Sequence, residues 1–159
     1  MEFNNTYKLW CHYEKDNWKL SGYKVLCSIN NEKSFWELYN NWDKIGGLLG
    51  KQFFLMKNDI TPRWEDKDNI NGGCWSFKLN LDNCKMIWEM LSILLVVDEI
   101  SPDKENINGL SICLKKNDKV VIKIWNSSKN KSKIDSLNKI IFEEYNPEII
   151  YIANNPDKS

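Results

Sequence analysis

Residues 110–125 read LSICLKKNDKVVIKIW, two alternating runs meeting at Asn117-Asp118. Period-two alternation on either side of a turn dipeptide is the pattern of a β-hairpin. Leu110, Ile112 and Leu114 then share one face with Val120, Ile122 and Ile124 of the partner strand, and that apolar face belongs under helices. The other face carries Ser111, Cys113, Lys115, Lys119, Val121, Lys123 and Trp125. Three lysines and a tryptophan on the uncovered side are, taken alone, an ordinary solvated face.

Working outward, Tyr7–Tyr13 alternates as a first strand and Tyr23–Ile29 reads as a second. Ser34-Phe35-Trp36-Glu37 has capping-box form, which predicts a helix to about Asp43. Gly46, Gly47 and Gly50 break the chain before a strand over Phe53–Lys57. Residues 58–73 are rich in Asn, Asp, Pro and Gly and form a long loop, a place where function concentrates. Trp75, Phe77 and Leu79 alternate in a fourth strand. Asp82 caps a long, largely buried helix from Asn83 to about Val97. A third helix is expected over Ser132–Tyr145, with Ile134, Leu137, Ile140 and Ile141 on one side, and a last strand over Glu148–Ala153. The order ββαββαββαβ, without repeats or a linker, favours an α+β class with an antiparallel, curved sheet of about seven to eight strands and its helices on one face.

The 159 residues are expected to form one domain, long enough to bury about two-thirds of the unfolded surface. Twenty-two basic residues balance 22 acidic ones, and Arg63 is the only arginine. No global basic field exists to hold nucleic acid, so any such role is local. The five cysteines are odd in number and lack a C-x-x-C pair, and the chain has one histidine. A zinc site is not expected, and reduced thiols fit a cytoplasmic protein. The apolar run Ile93–Val97 is too short to span a bilayer, so no membrane association is expected.

Eight tryptophans are many for this length. Trp64 stands in the polar loop Thr61-Pro62-Arg63-Trp64-Glu65-Asp66, and Trp18 in the turn between the first two strands. A loop tryptophan is most often a plug on the domain edge. Two of them, one beside a carboxylate, suit a flat, electron-poor ligand with hydrogen-bond donors on its rim. His12 alternates with Trp10 and reads as structural. Glu65, Asp66 and Asp68 have no phosphate-cradling loop or second carboxylate cluster to make a magnesium site.

Trp10, Trp18, Phe35-Trp36, Pro62-x-Trp64-Glu65-Asp66, Gly72-Gly73-x-Trp75, Trp88, Asn108-Gly109 and Ile124-Trp125 occur in an order and spacing that resembles the translation initiation factor 4E family over nearly the whole chain. The resemblance implies a cupped sheet with three helices on its convex face. It also implies binding of the 7-methylguanosine cap of mRNA in the concave face, without chemistry, metal or cofactor. Carried across, Trp18 and Trp64 look like the indoles that sandwich the base, Glu65 like the carboxylate at the guanine edge, and Trp125 like the indole against the N7-methyl group. Lys115 and Lys119, supplemented by Lys123, look like the phosphate contacts; lysine lacks the bidentate fork of the arginine usual at the Lys115 position. Cys74 stands where a basic residue is common, and the C-terminal loop that closes over the cap is expected to be short.

On the back of the molecule the resemblance implies that Trp36 and Ile93 receive a short helical motif from a scaffold of the 4G type or from a repressor. Phe35, Leu38 and Trp42 should be the buried stripe of the first helix, leaving Trp36 at the convex surface. Glu32, Glu89, Met90 and Val97 depart from the family's valine, leucine, glutamate and glycine, so altered partner affinity is expected. The segment that flanks this surface before Tyr7 is also expected to be short. The protein is expected to act as a cytoplasmic monomer supporting translation initiation. The rival readings are a cap-binding repressor or decoy, and an enzyme acting on capped or free nucleotides.

Overall fold

The computed structural model describes residues 1–45, 47–48, 50–143 and 148–155. Seven antiparallel strands form one curved sheet in the order β2-β1-β3-β5-β6-β4-β7. In chain order these are β1 (Glu2–His12), β2 (Tyr23–Asn31), β3 (Gln52–Lys57), β4 (Gly73–Asn80), β5 (Ile107–Leu114), β6 (Lys119–Asn126) and β7 (Ile150–Ala153). Helices α1 (Glu32–Tyr39), α2 (Leu81–Val96) and α3 (Ile140–Glu143) complete the expected order, and all seven strands lie within the expected number.

The 110–125 hairpin forms with the register that its alternation dictates. Ile112 stands opposite Ile122 and Leu114 opposite Val120. Asn117 and Asp118 turn the chain in the left-handed region, at φ 62° and 55°, a conformation that Asn and Asp tolerate better than other L residues. Leu110, Ile112, Val120, Ile122 and Ile124 are buried in the main core, with Leu114 at its edge.

That core lies between sheet and helices. From α2 it receives Cys84, Ile87, Trp88, Leu91 and Leu95, which recur at helical spacing. A second, smaller cluster occupies the opposite face: Tyr23, Phe54, Met56, Cys74 and Trp125, with Trp10 and Ile60 against it. The uncovered face of the hairpin is therefore solvated only in part, because Trp125 and Val121 are buried there. Strand β3 shows why: Phe53 and Leu55 enter the main core while Phe54 and Met56 enter the small one.

Three helix boundaries differ from expectation, each for a local reason. The cap of α1 is Asn31, whose side chain accepts from the Ser34 N–H at 2.8 Å while the Ser34 hydroxyl accepts from the Asn31 N–H. Ser34 thus answers the cap from the third helical position, and α1 starts two residues early. Beyond Tyr39 the chain continues only as a 3₁₀ turn, Trp42–Ile45. The cap position of α2 is Asn80, whose side chain makes no capping bond, and Asp82 lies inside the first turn, where its charge suits the helix dipole.

The third helix is much shorter than Ser132–Tyr145, whose last two residues lie outside the described ones. Before α3 the segment is tied down by its backbone and by Asn138. The Asn138 N–H donates to the Ile100 carbonyl and its side chain to the Glu99 carbonyl; the Ser101 hydroxyl donates to the Ser136 carbonyl. Groups bonded to another loop cannot also make a helical ladder. Leu137 and Ile141 are buried as expected, but Ile134 and Ile140 are exposed. The last strand is also shorter than expected, beginning at Ile150.

Candidate functional site

The concave face holds a cavity of about 420 Å³. Its walls come from two loops, 13–22 and 58–72, and its floor from β3, β4, β5 and β6. Trp18, Trp64, Glu65, Trp125, Lys115 and Lys123 all line it. Lys119 does not: its ammonium donates to the Asn80 side chain at 2.5 Å, at the far end of the hairpin. The hairpin's period of two puts Lys115, Lys119 and Lys123 on one face, but the bond to Asn80 on the neighbouring strand β4 holds the Lys119 ammonium away, while Lys115, opposite it at the turn, lines the cavity.

Trp125 forms the floor. Its indole N–H donates to the Ser111 hydroxyl at 3.0 Å and its ring meets Phe54 edge-on at 6.1 Å. Both of these contacts are made within the protein, so the ring is rigidly seated. Beside it, burial pushes the Cys74 thiol up to about 12, with Lys123 opposing the shift. Cys74 is therefore an apolar wall and not a nucleophile. Lys115 and Lys123 are exposed at the rim.

Trp64 is 47% exposed, on a loop whose backbone is nonetheless firmly held. Asn69, fully buried, donates to the carbonyls of Thr61 and Arg63 at 3.0 and 2.8 Å. Asn108 in turn donates to the Asn69 side chain and to the Asp68 carbonyl. Asp66 accepts from the Thr61 N–H and hydroxyl and from the Asp68 N–H, at 2.7–2.9 Å. Burial raises the Asp66 carboxyl, but these bonds and Lys67 outweigh it and hold the group below the usual carboxylate range. Asp66 thus spends its oxygens on the loop. Gly72 closes the loop against β6, where a Cβ would meet the Asn126 carbonyl oxygen at 1.9 Å.

The neighbouring Glu65 keeps an accessible carboxylate whose partner is Arg63, at 3.3 Å. The only arginine therefore sits in the cavity wall, and its Nε is buried without a partner. Composition singled Arg63 out without placing it. Its two-residue spacing from Glu65 was the available signal.

Trp18 is 54% exposed. Its loop is built around Asn17, whose side chain bonds Glu14 and Ser21 and whose backbone carbonyl accepts from His12 Nε2 at 2.8 Å. Gly22 packs onto the same carbonyl, where a Cβ would lie 2.0 Å from the oxygen. The arrangement offers two exposed indoles, a carboxylate and two rim cations around an indole floor. Indole faces attract flat cationic rings, and the lysines attract anionic groups.

On the opposite side, Trp36 is half-buried and edge-on to Phe35 at 5.0 Å, rather than standing free. Phe35, Tyr39 and Trp42 form the buried stripe, with Leu38 at its edge. Ile93 lines a shallow groove of about 540 Å³ with Asp82, Lys85, Met86, Glu89 and Met90.

Comparison with known proteins bears on this geometry. The family model described as Eukaryotic initiation factor 4E matches residues 2–155. The chain is 30% identical over 108 residues to the eukaryotic translation initiation factor 4E of Eremothecium gossypii, covering 66% of this chain and 51% of that one. It is 29% identical over 147 residues to the Dictyostelium discoideum factor, covering 88% and 53%. The chain thus spans about half the length of these curated relatives. Among solved structures, Ascaris suum eIF4E-3 in complex with the m2,2,7G cap superposes with a TM-score of 0.84 at 19% identity, over 99% of this chain and 93% of that one. The complex of C. elegans eIF4E-3 with the 4E-binding protein Mextli and a cap analog gives 0.83 at 20% identity, over 96% and 91%. At those identities the superpositions speak for the fold. The family match across nearly the whole chain carries the assignment, and the protein belongs to the eukaryotic initiation factor 4E family.

Proposed function

We propose that the protein binds the 7-methylguanosine cap of mRNA in its concave cavity and supports translation initiation as a cytoplasmic, monomeric, single-domain factor, residues 1–159, without catalysing a reaction. The observation that carries this reading is the convergence of Trp18, Trp64, Glu65 and Trp125 on one cavity with Lys115 and Lys123 at its rim. Trp18 and Trp64 sandwich the base. Methylation at N7 makes the purine cationic, so each indole adds about 0.5–2 kcal/mol of cation–π attraction to stacking worth roughly 1–3 kcal/mol per base. Glu65 accepts from the N1–H and amine edge of guanine, a donor pair that adenine lacks. Arg63 already lies 3.3 Å from this carboxylate. The Trp125 ring faces the methyl group, and Lys115 and Lys123 meet the phosphates. Lys119, turned to Asn80, has at most a long-range part.

The names of the superposing structures, which include complexes with caps and with 4E-binding proteins, support a second partner: a helical motif of the 4G scaffold or repressor kind, on the back. The groove beside Ile93 is its place in this reading. A cap-binding repressor is the alternative that shares the pocket, and it differs only at that surface.

Tryptophan fluorescence titration with 7-methyl-GTP and GTP tests the proposal. The methylated nucleotide should bind much more tightly and quench emission. Equal affinities would remove the cap reading.

A further inference from the structure

His12 is 4% exposed and stacks on Trp18, ring centroids 4.0 Å apart and planes 12° from parallel. One face of the most exposed indole of the cavity is thus covered by an imidazole, and its other face is the one free to take a ligand. The imidazole is itself fixed. Its Nε2–H donates to the Asn17 carbonyl, the residue before Trp18, and Tyr23 leans against it at 4.7 Å.

We infer that His12 is a positioning residue for the cap, which holds Trp18 in its base-stacking orientation. The inference rests on the cap reading of this cavity.

Trp18 rests on this stack, on a loop tied together by the Asn17 bonds. A freely rotating indole would have to be ordered at the moment of binding, and preorganisation removes that cost.

The test measures 7-methyl-GTP and GTP affinities for the wild type, His12→Phe and His12→Ala, with thermal melts of each. His12→Ala removes the stack and should lose 7-methyl-GTP affinity on the order of tenfold, equal to about 1.4 kcal/mol. His12→Phe restores a flat ring behind Trp18 and should recover most of that loss. Normal binding by a folded His12→Ala, or a His12→Phe as weak as His12→Ala, would overturn the positioning role. A wild type that ignores 7-methylation would instead remove the cap reading, and this inference with it.

Discussion

At the scale of single residues, the site divides into side chains that advertise themselves in sequence and side chains that act through space. Trp64 and Glu65 belong to the first kind, since an indole and a carboxylate in a polar loop have no packing reason to adjoin. Replacing Trp18 or Trp64 with leucine should cost about 1–3 kcal/mol of 7-methyl-GTP affinity, read by calorimetry, with little change in melting temperature because both rings are half-exposed. Glu65→Ala should cost roughly 1–3 kcal/mol and shrink discrimination against 7-methyladenosine nucleotides. If that variant bound normally, Glu65 would be merely the partner of Arg63. His12 and Arg63 are of the second kind. Their roles depend on a stack between a strand and a loop and on an ion pair across one residue, and neither follows from alternation or motif spacing. Lys119 shows the limit of alternation, for it shares a face with Lys123 yet its ammonium bonds the Asn80 side chain, outside the cavity lining.

Among the elements, what could be read in sequence was whatever a period enforces. The hairpin's alternation assigned its apolar side to the core, because a one-residue slip would turn every side chain over. The third helix was not legible, because Asn138 and the neighbouring backbone take their hydrogen bonds from the loop after α2, a tertiary override that periodicity cannot reveal. The two site loops were recognised as loops, but their internal ties were not. Those ties make predictions. Gly22→Ala forces a Cβ onto the Asn17 carbonyl and should displace Trp18, lowering cap affinity while the main core melts nearly as before; unchanged affinity would show that the loop absorbs the clash. In the other loop, Asp66 has its folded value held below the ordinary one. Its contribution is therefore complete above the unfolded value, near 3.8, and is lost as pH falls through the lower folded value. Acid titration of the wild type should loosen the loop within that range, visible in near-ultraviolet dichroism. Asp66→Asn should flatten the acid response and, being half-exposed, cost only on the order of 1 kcal/mol at neutral pH.

Taken whole, the molecule is a sheet with a core on each face, and its two candidate surfaces lie on opposite sides of it. The cavity rests on the small cluster around Trp125 and Phe54, whereas Trp36 and the α2 groove belong to the large core. The groove is chemically mixed. Met86, Met90 and Ile93 offer flexible apolar contact, while Asp82, Lys85 and Glu89 place charge among them. Methionines accommodate varied partners, but Glu89 buried beneath an apolar motif would lose hydration without gaining a partner, which costs affinity. A labelled helical motif of the 4G kind should therefore bind this protein more weakly than it binds a family member with leucine at the Glu89 position. Glu89→Leu should recover part of the difference. Trp36→Ala should weaken the motif without altering 7-methyl-GTP affinity, since the ring packs on the main core and its edge-on neighbour Phe35 is buried in that core. Coupling between sites is reciprocal, so the motif peptide at saturation should also leave cap affinity unchanged. Peptide affinity equal to the ordinary family member's, and indifferent to Glu89→Leu, would mean that the motif avoids the charged part of the groove and that the back surface works in the usual way.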